Sequence, residues 1–72
     1  MATMTPKERA LYDAQAEEEA WELALAILYP WVDATRPIGS EELTRVMEGA
    51  LKEAEREHDR SAEERAAAKA AL

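Results

Sequence analysis

The sequence predicts an all-α fold, an antiparallel helical hairpin that pairs into a four-helix bundle dimer. Two segments carry apolar residues at helical spacing, and the main cluster of proline and glycine separates them. The first segment is also more apolar than the second is able to cover. We expect helix 1 from about Pro6 to Tyr29 and helix 2 from about Glu41 to at least Arg56.

Helix 1 begins with a strong start signal after a short tail of residues 1–5. Thr5 is able to cap the amide of Glu8, and the Glu8 side chain is able to reach back to the amide of Thr5. Pro6 between them suits the first helical position, where no amide hydrogen is needed. The sequence therefore predicts a capping box at Thr5.

Helix 1 continues with a seam of residues spaced alternately by three and four. This spacing is typical of helices that pack in the manner of a coiled coil. One position of the seam is charged, at Glu18. The predicted seam consists of Leu11, Ala14, Glu18, Trp21, Leu25, Leu28 and Val32.

The apolar surface of helix 1 is wider than this seam. It covers about 200° of the helix circumference, whereas the stripe of helix 2 covers only about 140°. We therefore expect part of helix 1 to remain uncovered in a single hairpin, so that the protein associates with itself or with another protein. Several of the following residues are expected to stay uncovered: Ala20, Leu23, Leu25, Ile27 and Leu28.

Pro30 is expected to end helix 1 near Leu28 or Tyr29, or to kink it there, because proline lacks an amide donor and disfavours helix before it. Ser40 is predicted to cap helix 2. The expected apolar stripe of helix 2 consists of Leu43, Val46, Met47, Ala50, Leu51 and Ala54.

After Ala54 the apolar pattern is lost, and residues 61–72 are mainly alanine and charge. A second capping box, from Ser61 to Glu64, allows a helix to restart after a break. We favour instead a continuous, solvated helix that frays toward Leu72, because alanine, glutamate, arginine and lysine are strong helix formers. The predicted organisation is a tail at 1–5, a hairpin domain at 6–60 and a C-terminal extension at 61–72.

Composition limits the classes of function. The chain has 72 residues, no cysteine and a formal net charge of −7. Cysteine-based zinc sites and disulfides are excluded, and the charge opposes direct binding to nucleic acid or to an anionic membrane. We expect a cytoplasmic protein with neither a signal peptide nor a membrane span.

The sequence offers little chemistry for catalysis. No serine is placed convincingly beside the single histidine, His58, and there is no glycine-rich phosphate loop. Glu55 and His58 form a Glu-x-x-His pair, which a dimer is able to complete with Asp13 and Glu17 as a metal site. Because glutamate is so frequent here, we predict instead a surface histidine flanked by acids, no tightly bound metal, no cofactor and no enzyme activity.

The function expected from these features is that of a small acidic interaction protein. It would act as an adaptor or inhibitor through the apolar face of helix 1, with carboxylates meeting a basic partner, such as a nucleic-acid-binding enzyme of the kind that mobile elements encode. Two alternatives stay open: the metal-binding dimer, and an antitoxin-like or structural subunit. The predicted partner-binding residues are Trp21, Leu23, Ile27, Tyr29, Trp31, Asp13 and Glu17.

Overall fold

The computed structural model of the protein describes residues 3–35, 39 and 41–72, and it consists of two long helices that pack against each other. Helix α1 spans Pro6–Thr35 and helix α2 spans Glu41–Ala70, each with 30 residues. Among the described residues there is no strand. The predicted all-α helical hairpin is thereby confirmed.

The start of α1 has the predicted capping box. The amide of Glu8 donates to Thr5 Oγ1, and the amide of Thr5 donates to Glu8 Oε1, both at 3.2 Å. The amide of Arg9 also donates to the carbonyl of Thr5 at 2.9 Å. Reciprocal bonds of this kind satisfy amides that the first turn of a helix otherwise leaves without partners.

Of the two outcomes predicted for Pro30, an end of α1 near Leu28 or Tyr29 is wrong, because the helix continues through Pro30 to Thr35. The alternative, a kink at Pro30, stays a prediction. Val32 explains why the helix continues. It lies one step beyond Leu28 in the seam and is only 2% exposed, so continuing the helix buries one more apolar side chain against α2. This burial offsets part of the cost of a proline within a helix.

The contact face of α1 is the seam that the three-and-four spacing predicts. Its most buried members are Val32 at 2% and Ala14 at 6% exposure. The other five are half-buried: Leu11, Glu18, Trp21, Leu25 and Leu28. The prediction of this seam is confirmed, including its charged position at Glu18.

The apolar stripe predicted for α2 is only half right. Met47, Leu51 and Ala54 face α1, but Leu43 and Val46 are 41% and 63% exposed and Ala50 is exposed as well. The seam of α2 instead follows its own three-and-four spacing along the whole helix. Its members are Thr44, Met47, Leu51, Ala54, His58, Ser61, Arg65 and Ala68, all of them buried or half-buried.

The C-terminal segment continues α2 without a break as far as Ala70. It is not wholly solvated, because Ser61 is fully buried and Arg65 contacts α1. Gly39 lies in the connection with a φ of 81°, a conformation that favours glycine. Residues 36–38 and the predicted cap at Ser40 lie outside the described residues.

The hairpin is elongated, with extents of 55 × 22 × 12 Å and a Cα radius of gyration of 16.5 Å. A compact domain of this length has a radius of gyration of about 11 Å. The shortest extent is about the diameter of one helix, so the helices form a single layer. Within the described residues, neither helix has an apolar stretch long enough to cross a membrane.

Candidate functional site

Part of α1 outside the seam carries a second row of apolar side chains, which we call the outer stripe. Its large members are highly exposed: Leu23 at 69%, Trp31 at 62%, Ile27 at 59% and Tyr12 at 58%. Four of its five spacings are of four residues, so the row winds by about 100° around α1 between Tyr12 and Trp31. The outer stripe consists of Tyr12, Ala16, Ala20, Leu23, Ile27 and Trp31.

An apolar side chain of α2, Val46, is also exposed in the half of the hairpin nearer the connection. Glu17 and Arg60 contact each other across one edge of the hairpin. Trp31 lies two heptads after Glu17, and Val46 lies two heptads before Arg60, so both side chains lie on that same edge, which we call the Arg60 edge. Because Trp31 and Val46 are 62% and 63% exposed, they widen the apolar surface from one helix to two.

The three aromatic residues predicted to bind a partner differ in exposure. Trp21 lies in the seam and is half-buried, so it contributes mainly to the contact between the helices. Tyr29 and Trp31 are 48% and 62% exposed. Trp31 shares the Arg60 edge with Val46, whereas Tyr29, two residues away along α1, points to another side of the helix.

The acidic residues predicted to border the apolar surface have basic neighbours. Glu17 accepts a hydrogen bond from Arg60, which also donates to Glu57 and Glu64. Asp13 lies 4.0 Å from Arg9 on its own helix. Hydrogen bonds to Glu57 and then to Glu17 raise the pKa of the Arg60 guanidinium, so this side chain keeps its charge in any ordinary buffer.

The half of the seam farther from the connection contains Glu18 of α1 and His58, Ser61 and Arg65 of α2, and we call it the polar half. Arg65 Nε donates to Glu18 Oε2 at 2.8 Å, and this hydrogen bond raises the pKa of Arg65. Ser61 is fully buried and donates to the carbonyl of His58 at 2.8 Å. No buried side-chain polar atom among the described residues lacks a hydrogen-bond partner. The buried polar side chains of this half are therefore satisfied within the hairpin.

His58 lies at the start of this polar half, next to Ala54 in the seam of α2. Its Nε2 is 3.3 Å from Glu22 Oε1 and its side chain is 27% exposed, so the predicted surface histidine is half-buried and also meets an acidic residue of α1. Ligand atoms of Glu18, Glu22 and His58 lie within 4.8 Å of one another. We call these three residues the histidine cluster.

The structure assembles the histidine cluster from residues other than those the sequence suggests. Glu55 is exposed and lies outside it, while Asp13 and Glu17 contact arginines instead. Apolar periodicity fails to identify the cluster because its members are polar. One signal was present: the spacing from Met47 through Leu51 and Ala54, continued by three and four, leads to His58, Ser61 and Arg65.

Elsewhere the described surface has a shallow groove of about 220 Å³, smaller than the pockets that usually hold small molecules. It lies between the start of α1 and the C-terminus, with Leu11, Tyr12 and Leu72 among its lining residues. Comparison of the chain with protein-family models, with curated proteins and with solved structures gives no match.

Proposed function

We propose that this protein is a non-catalytic interaction protein, and that the outer stripe of α1 together with Val46 is its binding surface. The observation that carries the proposal is the exposure of Leu23, Ile27 and Trp31, each at 59% or more, on a helix whose seam is already in contact with α2. Rows of large apolar side chains exposed at helical spacing are typical of surfaces that another helix covers.

A single hairpin leaves several large apolar side chains of α1 exposed. Covering a large apolar side chain stabilises a protein by about 1.5 to 3 kcal/mol. Three such side chains therefore amount to as much free energy as the whole net stability of a small domain, about 5 kcal/mol at the lower end. A chain that leaves them exposed gains considerably from a partner.

The first occupant we propose for this surface is a second copy of the hairpin, forming a four-helix bundle. The chain exposes 5522 Å², whereas a compact monomer of 8.1 kDa exposes about 4500 Å². The excess of roughly 1000 Å² is similar to the area of about 800 Å² that each partner buries in a standard protein interface. A two-fold axis is the simplest way to cover identical surfaces.

The second occupant we propose is a basic protein. Between Pro6 and Thr35 there are seven acidic and two basic side chains, which makes α1 strongly negative. Asp13 adjoins the outer stripe and is 65% exposed, so it is available to a lysine or arginine of a partner. In this form the protein would be an adaptor or an inhibitor, for example of a nucleic-acid-binding enzyme, or an antitoxin-like subunit.

Sedimentation of a double variant tests the proposal. We expect the wild-type protein to sediment as a dimer, and Leu23→Glu with Ile27→Glu to give a helical monomer, because two buried carboxylates oppose association. The matched control is Ala66→Glu with Ala70→Glu, which adds the same charge at the same spacing to exposed positions of α2 and is expected to leave the dimer intact.

One result would distinguish the second occupant from the first, and another would contradict both. A monomeric wild type that captures a basic protein, and loses it in the Leu23→Glu, Ile27→Glu variant, would favour the second occupant. A wild type that stays monomeric at high concentration, binds no protein and melts cooperatively above about 60 °C would contradict both, because a small domain that stable needs no partner.

A further inference from the structure

We propose that the histidine cluster is a binding site for Zn²⁺ or a similar divalent transition metal, held by Glu18 and Glu22 of α1 and His58 of α2. The ligand atoms of these three side chains come from both helices and lie within 4.8 Å of one another. The site is independent of the proposed binding surface. Glu22 is five residues from Glu17, about 140° around the helix, so the cluster opens on the edge opposite Arg60.

The distances allow the three side chains to converge on one ion. A tetrahedral zinc ion, with bonds of about 2.0 to 2.2 Å, holds its ligand atoms about 3.3 to 3.5 Å apart. His58 Nε2 and Glu22 Oε1 are already 3.3 Å apart. Glu18 supplies the third ligand atom, within 4.8 Å of the other two. Because Glu22 is 57% exposed, solvent reaches the cluster and leaves the fourth position open to a water molecule.

The donor set selects the class of metal. One imidazole nitrogen and two carboxylate oxygens suit zinc and neighbouring transition metals, whereas Ca²⁺ and Mg²⁺ require oxygen ligands alone or nearly so. The two nitrogens of His58 face different carboxylates: Nε2 faces Glu22, and Nδ1 lies 4.0 Å from Asp59 Oδ1. At 4.0 Å Asp59 makes no hydrogen bond to Nδ1, so it acts on the ring only through its negative charge.

Charge within the cluster also favours a cation. Glu18 and Glu22 are four residues apart on one helix, a spacing at which two carboxylates repel each other. Arg65 donates a hydrogen bond to Glu18 Oε2 and partly compensates the charge of this carboxylate. The other oxygen of Glu18, Oε1, is then available to an ion. Bound between the helices, the metal would connect them in the polar half of the seam, where few apolar contacts do so.

This inference replaces the expectation from sequence that His58 binds no metal tightly. From sequence, the candidate partners of His58 are Glu55 on its own helix and Asp13 and Glu17 on α1. In the structure, the carboxylates beside His58 are those of Glu18 and Glu22. The register of the two helices therefore decides which carboxylates His58 meets.

Titration of the metal-free protein with ZnCl₂ tests the site, with the imidazole signals of the single histidine observed by NMR. We expect Zn²⁺ to shift the Nε2 resonance at one equivalent. Thermal unfolding should move upward by about 10 °C or more at a free Zn²⁺ concentration about 100 times Kd, because the ion binds only the folded hairpin. Unchanged imidazole signals at millimolar Zn²⁺ would overturn the proposal.

Variants locate the ion. We expect His58→Gln and Glu22→Gln each to weaken zinc binding at least about tenfold, as the loss of a ligand should. The matched controls, Glu55→Gln and Glu19→Gln, remove exposed carboxylates outside the cluster and are expected to leave the affinity unchanged. If Glu55→Gln weakens binding as much as Glu22→Gln, the ion does not lie where we propose.

One variant is expected to bind zinc more tightly. Arg65→Gln removes a positive charge beside Glu18 but keeps a side chain that donates a hydrogen bond, so repulsion of the ion falls. Tighter binding is not a result that misfolding would produce. Unchanged or weaker binding in Arg65→Gln would contradict an ion that lies against Glu18. None of these measurements depends on the outer stripe.

Discussion

At the scale of single residues, small side chains set how closely the helices approach. Among the described residues, three of the four most buried positions are Ala14, Ala54 and Ser61, and only Val32 has a larger side chain. The interior of this hairpin is therefore a line of close helix contacts, without space for large side chains. Large apolar residues of α1 such as Leu23 and Ile27 lie outside the seam instead.

The first prediction concerns Ala54, which is 2% exposed. Ala54→Leu forces a larger side chain between the helices and is expected to reduce the free energy of unfolding by about 1 to 3 kcal/mol. Ala67→Leu makes the same change at an exposed position of α2 and should alter it by less than about 0.5 kcal/mol. Urea denaturation followed by circular dichroism measures both. Equal stability of the two variants would show that the helices leave room for a larger side chain at position 54.

At the scale of elements, α1 and α2 differ in how well their faces are predicted from sequence. The seam of α1 is correctly predicted because six of its seven positions are apolar, with Glu18 the exception. In α2 the seam passes through Thr44, His58, Ser61 and Arg65, and apolar periodicity does not detect polar members. The histidine cluster is missed for the same reason, since the sequence shows none of its contacts between helices.

The passage of α1 through Pro30 gives a prediction about helix energetics. Proline within a helix is about 3 kcal/mol less favourable than alanine. We expect Pro30→Ala to raise the free energy of unfolding by about 1 to 3 kcal/mol, because it restores an amide donor and removes a steric clash in a helix that continues to Thr35.

The control for this prediction is Pro6→Ala. Pro6 is the first residue of α1, where proline is well tolerated, so the change should stay within about 0.5 kcal/mol. Chemical denaturation of the two variants beside wild type measures the difference. Lower stability of Pro30→Ala would mean instead that a bend at Pro30 is required to bury Val32.

At the scale of the whole molecule, a layer about one helix thick does not enclose its apolar residues. Trp31 and Val46, each two heptads from a member of the Glu17–Arg60 pair, lie on the Arg60 edge and are exposed. Sequence alone predicts the excess apolar surface of α1 but not that α2 contributes to it, because Val46 was expected to face α1. Its exposure widens the proposed surface.

The shape of the proposed dimer is testable in solution, because lateral and end-to-end pairing differ strongly in size. One hairpin has a radius of gyration of 16.5 Å. Packing a second hairpin alongside, with neighbouring helices about 8 to 10 Å apart, raises it by only about 1 to 2 Å while the mass doubles. End-to-end association of hairpins 55 Å long would nearly double it instead.

Small-angle X-ray scattering, with the mass of the same sample taken from light scattering, separates these arrangements. We expect a dimer mass with a radius of gyration near 17 to 18 Å, since helices are packed laterally at such distances when their apolar rows meet. The Leu23→Glu, Ile27→Glu variant should give half the mass at almost the same radius. A dimer with a radius near 30 Å would contradict pairing through the outer stripe, because that row runs along α1 and buries its length only when the helices lie side by side.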